Sequence, residues 1–179
     1  MKKILFIIDK IELKYFEFNN LVTNFWMIKE FLERGNQVFI TTISNLSLKQ
    51  DVAYTKCFET FTDKNNIFYK DIKIEKEIND FDLVMFRPDP PVDIDYINAT
   101  YIFDFVTKPR VINSPQAIRD FNEKLHSVYF KELMTDNIVT ASLEEIEAFL
   151  AKYKQIVLKP LNRCFGSGVM YLYEGDPNT

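Results

Sequence analysis

The stretch QIVLKPLNRCFGSGVMYLYE, residues 155–174, governs how the rest of the chain is read. It opens on an apolar strand ending in Lys159 and Pro160, crosses a polar loop, and closes on a second apolar strand. Of the four glycines in the chain, Gly166, Gly168 and Gly175 fall inside this stretch or directly after it. Glycine takes positive φ without strain and lets backbone N–H groups approach a ligand closely, as a phosphate cradle requires. Lys159, at the mouth of the first strand, adds countercharge. An ordinary hairpin with a long, lysine-flanked turn has the same local pattern, so the loop needs support from the remainder of the chain.

The totals narrow the field. A chain of 179 residues with 47% apolar and 27% charged composition is globular, long enough for one or two domains with a real core. Net charge of −4 and a pI near 5.2 argue against nonspecific nucleic-acid binding, which draws on a basic face. The opening MKKILFIIDK carries an apolar run that Asp9 and Lys10 end too early for a signal peptide, and no stretch reaches the length of a membrane span. A cytoplasmic protein is expected. Cys57 and Cys164 lack metal or redox spacing and read as reduced thiols, and a single histidine, His126, excludes a multi-histidine metal site within this chain.

Outward from the loop, the pattern is one of alternating strands and helices. Residues 4–8 form a continuous apolar run that predicts a strand buried on both faces, with Asp9 at its carboxyl end. Leu21, Phe25, Ile28, Phe31 and Leu32 recur at helical spacing, Gly35 stands where a helix-ending glycine belongs, and a strand over 37–42 follows. This is a βαβ unit of a parallel sheet. Residues 44–80 show no sustained period and predict irregular structure with one short hairpin near 57–69. DLVMFR, 82–87, returns to the buried-strand pattern and runs into Pro88, Asp89, Pro90 and Pro91, a stiff loop at a strand's carboxyl end. Open α/β sheets bind ligands on that side, although a purely structural turn would use the same prolines.

Ile94, Ile97, Tyr101, Ile102 and Phe105 then predict an amphipathic helix packed on the sheet. Val111 and Ile112 form a short strand, and Ser114 and Pro115 open a further helix as N-cap and first helical residue. A domain boundary is placed near Asn122, where the alternation changes. Beyond it, a strand over 138–140 is expected, then a helix with a capping box of Ser142 and Glu145 and a buried stripe of Leu143, Ile146, Phe149 and Leu150. Strands at 156–159 and 169–173 should pair across the glycine loop.

RPDPP with DIDYINATYIFD, then INSPQAIRDFNEKL, then IVLKPL with its glycine loop, then YEGDPN, occur in an order and spacing that resemble bacterial glutathione synthetase, an ATP-grasp ligase. The resemblance covers residues 82–178 and, more faintly, the first strand with Asp9. It implies an α/β fold: a pre-ATP-grasp doubly wound parallel sheet over 1–122, then a partial α+β ATP-grasp subdomain over 123–179. It implies ATP and Mg²⁺ as cofactors, and γ-glutamylcysteine and glycine as substrates joined through an acyl phosphate. By resemblance, Lys124 and Lys159 contact the ATP phosphates with Arg163, Gly166, Ser167 and Gly168 of the loop, while Asp9, Arg87 and Asp89 face the acidic peptide. Charges brought from separate elements together with backbone donors are what a polyphosphate needs.

The sequence departs from the family pattern in three ways. Arg163 and Phe165 occupy loop positions where the family often has glycine, and Pro88 stands where it often has lysine after the arginine. The resemblance also places the Mg²⁺ ligands in sequence after Thr179, so an amino-terminal portion of the enzyme, inactive alone, is expected, as a fragment, a split subunit or a homo-oligomer component. Two other readings stay open on sequence alone: an ATP-grasp ligase with another substrate, or a non-catalytic nucleotide-binding or interaction module.

Overall fold

A computed structural model of the chain describes residues 1–14, 16, 21–64 and 66–176, apart from the side chain of Ile11. The chain separates into two compact units, Met1–Asp120 and Phe121–Thr179. Pro177 and Asn178 of the YEGDPN motif lie outside the described residues.

The first unit is organised by β1 (Lys3–Ile7), whose Ile, Leu and Phe side chains favour an extended backbone buried on both sides. Successive side chains point to opposite faces of a strand, and β1 feeds two separate cores. Ile4, Phe6 and Ile8 join Phe25 and Ile28 of α2 (Thr23–Glu33) and Val38 and Ile40 of β2 (Gln37–Thr41). Leu5 and Ile7 join Phe39 of β2, Val84 and Phe86 of β7 (Leu83–Phe86), and Tyr96, Ala99 and Phe103 on or just after α3 (Ile94–Ile102). Helices therefore cover both faces, as a doubly wound sheet requires. A short helix α1 (Lys10–Lys14) follows β1 directly. The parallel portion runs β2, β1, β7, β8, with Leu5 opposite both Phe39 and Val84 and with β8 (Arg110–Ile112) beside β7.

Several expectations are corrected here. Residues 44–80 are not irregular: they form β3 (Leu46–Lys49), β4 (Val52–Asp63), β5 (Asn66–Tyr69) and β6 (Ile74–Glu77), all antiparallel partners in a sheet continued from β2. The β4–β5 hairpin falls within the predicted 57–69 window. Apolar periodicity missed the rest because β4 buries threonines. Thr55 Oγ1 donates to Thr41 Oγ1 at 3.0 Å and Thr60 Oγ1 to the Val38 carbonyl at 2.8 Å, so these polar groups enter the core already satisfied. Leu21 lies before α2 and is 94% exposed, so the buried stripe begins at Phe25. Along α3 and the 3-10 turn after it, Ile94, Tyr101 and Phe105 are exposed, and the inward face is Tyr96, Ala99, Thr100 and Phe103. That face carries two hydroxyls that are internally bonded, Tyr96 to the Pro88 carbonyl and Thr100 to the Ile97 carbonyl, which is why it was invisible to hydrophobicity. Where the reading was local it holds: Gly35, at φ 76°, ends α2 with its N–H on the Leu32 carbonyl, and Ser114 Oγ accepts from the Ala117 N–H at the start of α4 (Pro115–Asp120).

In the second unit a 3-10 stretch, His126–Leu133, is kinked at Phe130. Residues 138–140 are not a strand. Three residues followed by a helix N-cap leave no partner strand to complete a ladder. Ser142 Oγ caps α5 (Leu143–Tyr153) by accepting from the Glu145 N–H, but the Ser142 N–H goes to Thr140 Oγ1 rather than to a glutamate, so only half of the capping box forms. Leu143 is 67% exposed and the stripe is carried by Ile146, Phe149 and Leu150, the one buried residue among those described in this unit. β9 (Gln155–Leu158) and β10 (Met170–Tyr173) pair antiparallel, Leu158 opposite Met170, across the glycine loop as predicted.

Phe6 has no exposed surface and meets Phe31 edge-on at 5.9 Å. Phe6→Ala should lower the stability of the first unit by about 3–5 kcal/mol, whereas Leu21→Ala should stay within about 0.5 kcal/mol. Urea titration of both variants is the measurement, and equal midpoints would refute the assignment of the α2-side core.

Candidate functional site

At the carboxyl ends of β1 and β7 the first unit gathers a cluster of charge. The Arg87 N–H donates to the Ile7 carbonyl at 3.0 Å, extending the β1–β7 ladder to the point where both strands stop. The proline-stiffened turn that follows brings the Asp89 N–H onto Asp9 Oδ2 at 2.6 Å. Asp9, Arg87 and Asp89, singled out from sequence, are thus brought to one place. Burial raises the Asp9 carboxyl above its usual range, the bond from Asp89 N–H opposes this, and the neighbouring Asp89 charge adds to it.

Three residues that sequence reasoning missed complete the cluster: Glu12 from α1, Asn24 from α2 and Tyr96 from α3. Asn24 is buried and bridges Glu12 to Arg87. Its Nδ2 donates to both Glu12 oxygens, at 2.9 and 3.2 Å, and its Oδ1 accepts from Arg87 Nε at 2.6 Å. Burial raises the Glu12 carboxyl; the bond from Asn24 and the Arg87 charge oppose the shift, while Asp89 and Asp9 reinforce it. Tyr96 donates to the Pro88 carbonyl at 3.1 Å, and burial, with the nearby Asp9 and Asp89 charges, pushes its hydroxyl up to about 12. One signal was present in the sequence: Asn24 lies four and seven residues before Ile28 and Phe31, a polar side chain on the apolar face of a helix. Among the described residues the two terminal nitrogens of Arg87 have no partner, so the fork remains available to a carboxylate.

The second unit builds a different site around its loop. Lys124 Nζ donates to the Arg163 carbonyl at 2.5 Å and pairs with Glu123 at 2.8 Å, while Asn122 Nδ2 donates to the Leu161 carbonyl at 3.1 Å. The turn 122–124 therefore grips the first half of the loop. Ser167 and Val169 N–H groups are spent on the Cys164 and Gly166 carbonyls, whereas those of Gly166 and Gly168 have no partner among the described residues. Both glycines have positive φ, and a Cβ on Gly168 would stand 3.0 Å from Pro160 Cγ, so that position admits only glycine without a shift of the proline ring. Lys159 is exposed at the end of β9, and neither it nor the Arg163 guanidinium has a hydrogen bond or ion pair among the described residues. The loop thus offers two cations and two backbone donors, with a third cation, Lys124, engaged on its inner side. Lys154, at the end of α5, instead forms an exposed ion pair with Glu174 at 2.6 Å. His126 is exposed and its ring lies 5.1 Å from that of Phe121.

The fold and these two clusters define an α/β protein of the type that takes ligands at the carboxyl ends of its strands, continued by a unit with a cationic glycine loop. Residues 2–119 match the model of the prokaryotic glutathione synthetase N-terminal domain, and residues 123–179 match that of the prokaryotic glutathione synthetase ATP-grasp domain. The chain belongs to the prokaryotic glutathione synthetase family. It is 36% identical over 162 residues to the glutathione synthetase of Vibrio parahaemolyticus, covering 87% of this chain and 51% of the relative. It is 36% identical over 165 residues to that of Neisseria meningitidis serogroup A, covering 87% and 52%. It is 32% identical over 160 residues to that of Buchnera aphidicola subsp. Schizaphis graminum, covering 87% and 50%. The chain spans about half the length of the curated relatives it matches. No described helix is long and apolar enough to cross a membrane.

A carboxyl whose folded-state affinity for its proton exceeds that of the unfolded chain costs stability as pH rises through that window, because the folded state binds the extra proton. Glu12 is such a group. Glu12→Gln should therefore gain stability relative to the parent as pH rises from about 4 toward neutrality, read as the difference in Tm at each pH. A difference that stays constant or shrinks over that range would contradict the burial of the Glu12 charge.

Proposed function

We propose that this chain supplies the pre-ATP-grasp domain, residues 1–122, and the first ATP-grasp subdomain, residues 123–179, of a cytoplasmic ligase that joins γ-glutamylcysteine to glycine at the expense of ATP. The observation that carries this reading is the succession of two matches along one chain, the N-terminal domain and then the ATP-grasp domain of one enzyme family. In the reaction, an oxygen of the cysteinyl carboxylate attacks the γ-phosphorus of ATP and ADP leaves. The glycine amine then attacks the acyl carbon of the resulting acyl phosphate, and the amide forms as phosphate departs.

The roles assigned to this chain are binding and orientation. Arg87 receives a carboxylate of the peptide on its free terminal nitrogens, and Asp9 with Asp89 shapes the acidic side of that site. Lys159 and Arg163 meet phosphate oxygens as point charge and fork, with the N–H groups of Gly166 and Gly168 as backbone donors and Ser167 offering its hydroxyl. Lys124 holds the loop through the Arg163 carbonyl and is released to phosphate if the loop opens. Mg²⁺, which in such a reaction neutralises the β and γ oxygens, finds no set of three or more carboxylate, histidine or cysteine ligands among the described residues. These residues therefore do not fit a metal site, and no role here depends on one.

In a complete enzyme, made by joining this chain to the remainder of the ATP-grasp domain, ADP release should depend on both γ-glutamylcysteine and glycine. Lys159→Ala should raise the Kd for ATP at least about tenfold, the value of one charged hydrogen bond to phosphate, while Lys154→Ala, which removes only an exposed ion pair, should change it less than about twofold. Titration calorimetry compares them directly. Equal affinities would mean that the loop 162–168 is a turn and not a phosphate site.

A further inference from the structure

Arg87 supplies the guanidinium of the cluster at the carboxyl ends of β1 and β7, and it does not hold its own position. Its side chain has one hydrogen bond among the described residues, from Nε to Asn24 Oδ1 at 2.6 Å, and Asn24 in turn is anchored by Glu12 at 2.9 and 3.2 Å. An asparagine amide could in general face either way, but here the chemistry of its neighbours leaves one choice. A carboxylate only accepts, so the Asn24 NH₂ must face Glu12; an arginine Nε–H only donates, so the Asn24 oxygen must face Arg87. The same NH₂ also reaches the Arg87 carbonyl at 3.4 Å, and Asn24 is 4% and Glu12 7% exposed, so the Asn24–Glu12 end of the relay is shielded from water. Bonding at Nε rather than at a terminal nitrogen leaves the two-pronged end of the guanidinium unspent and fixes the plane in which it lies.

We infer that Glu12 and Asn24 are positioning residues that set the guanidinium plane of Arg87 for a bidentate carboxylate ligand. This rests on the substrate role proposed above for Arg87. Neither residue touches the ligand: Glu12 orients the Asn24 amide, the amide orients Nε, and the ligand carboxylate meets an arginine already aligned. An arginine left to rotate would lose side-chain freedom on binding, and the relay removes that cost beforehand.

Two measurements on the chain as it stands separate orientation from binding. In ¹⁵N-detected spectra the Arg87 Nε–H should exchange slowly with solvent in the parent and become fast in Asn24→Ala and in Glu12→Ala, the second variant guarding against loss of fold in the first. Titration with γ-glutamylcysteine, followed on the same signals and on backbone amides of 87–89, should show Kd raised about tenfold by Asn24→Ala, yet less than twofold by the same substitution in an Arg87→Ala background. Affinity lost equally in both backgrounds would overturn the inference, since Asn24 would then act only through the fold. Parent-like exchange of Nε–H in both single variants would overturn it as well. If instead Arg87→Ala leaves γ-glutamylcysteine affinity unchanged, the substrate role of Arg87 fails first, and the positioning role falls with it.

Discussion

The ladder that joins β1 to β2 on one side and to β7 on the other is the constraint on which the first unit depends. β1 has no free edge and no solvent face, so every residue from Ile4 to Ile8 is committed to a partner strand or to one of two cores. Its carboxyl end is consequently bonded from both sides. Ile7 accepts from the Arg87 N–H and Ile8 donates to the Thr41 carbonyl, so the last bonds of the parallel ladder are also the floor of the charged cluster. Asp9 and Arg87 are adjacent because two strands that must be buried end at the same level.

What stands on that floor is costly. Three carboxylates, Asp9, Glu12 and Asp89, share the cluster with one guanidinium, and burial raises Asp9 and Glu12 above their usual range. Replacing buried charged groups by apolar ones of similar volume is often neutral or stabilising. The hydrogen bonds that satisfy the cluster, through Asn24, the Asp89 N–H and the Tyr96 hydroxyl, keep it folded and make its geometry specific. Charge partly buried at the carboxyl edge of a parallel sheet stands where open α/β sheets take their ligands.

The second unit is held together on different terms. One described residue is buried, and Val157, Met170, Tyr171 and Tyr173 of its two-stranded sheet are between 42% and 57% exposed. Its order comes from polar links, with Asn122 and Lys124 gripping the loop, Ser142 capping α5, and Lys154 bridging to Glu174. Such links are individually weak in water compared with a packed core.

Sequence by itself determined the elements whose signals are local. The apolar runs of β1 and β7, the glycine that ends α2, the Ser142 and Ser114 caps and the two strands flanking the glycine loop all follow from neighbours within a few positions, since a strand's period of two, a helix's of 3.6 and a cap's offset of three are properties of contiguous chain. Asp9, Arg87 and Asp89 could be singled out because they stand at the ends of buried strands and the family resemblance points to them. Tertiary structure alone decided the rest. The antiparallel strands between 46 and 77 are stabilised by threonine hydroxyls whose partners lie on other strands, and the inward face of α3 is chosen by where Tyr96 and Thr100 find acceptors. The relay through Asn24 joins positions 12 and 63 residues apart, and the grip of Lys124 on the loop spans 39. Bonds of that reach leave no periodic trace, because the chain between them is free to take any length or composition that brings two polar groups together away from water.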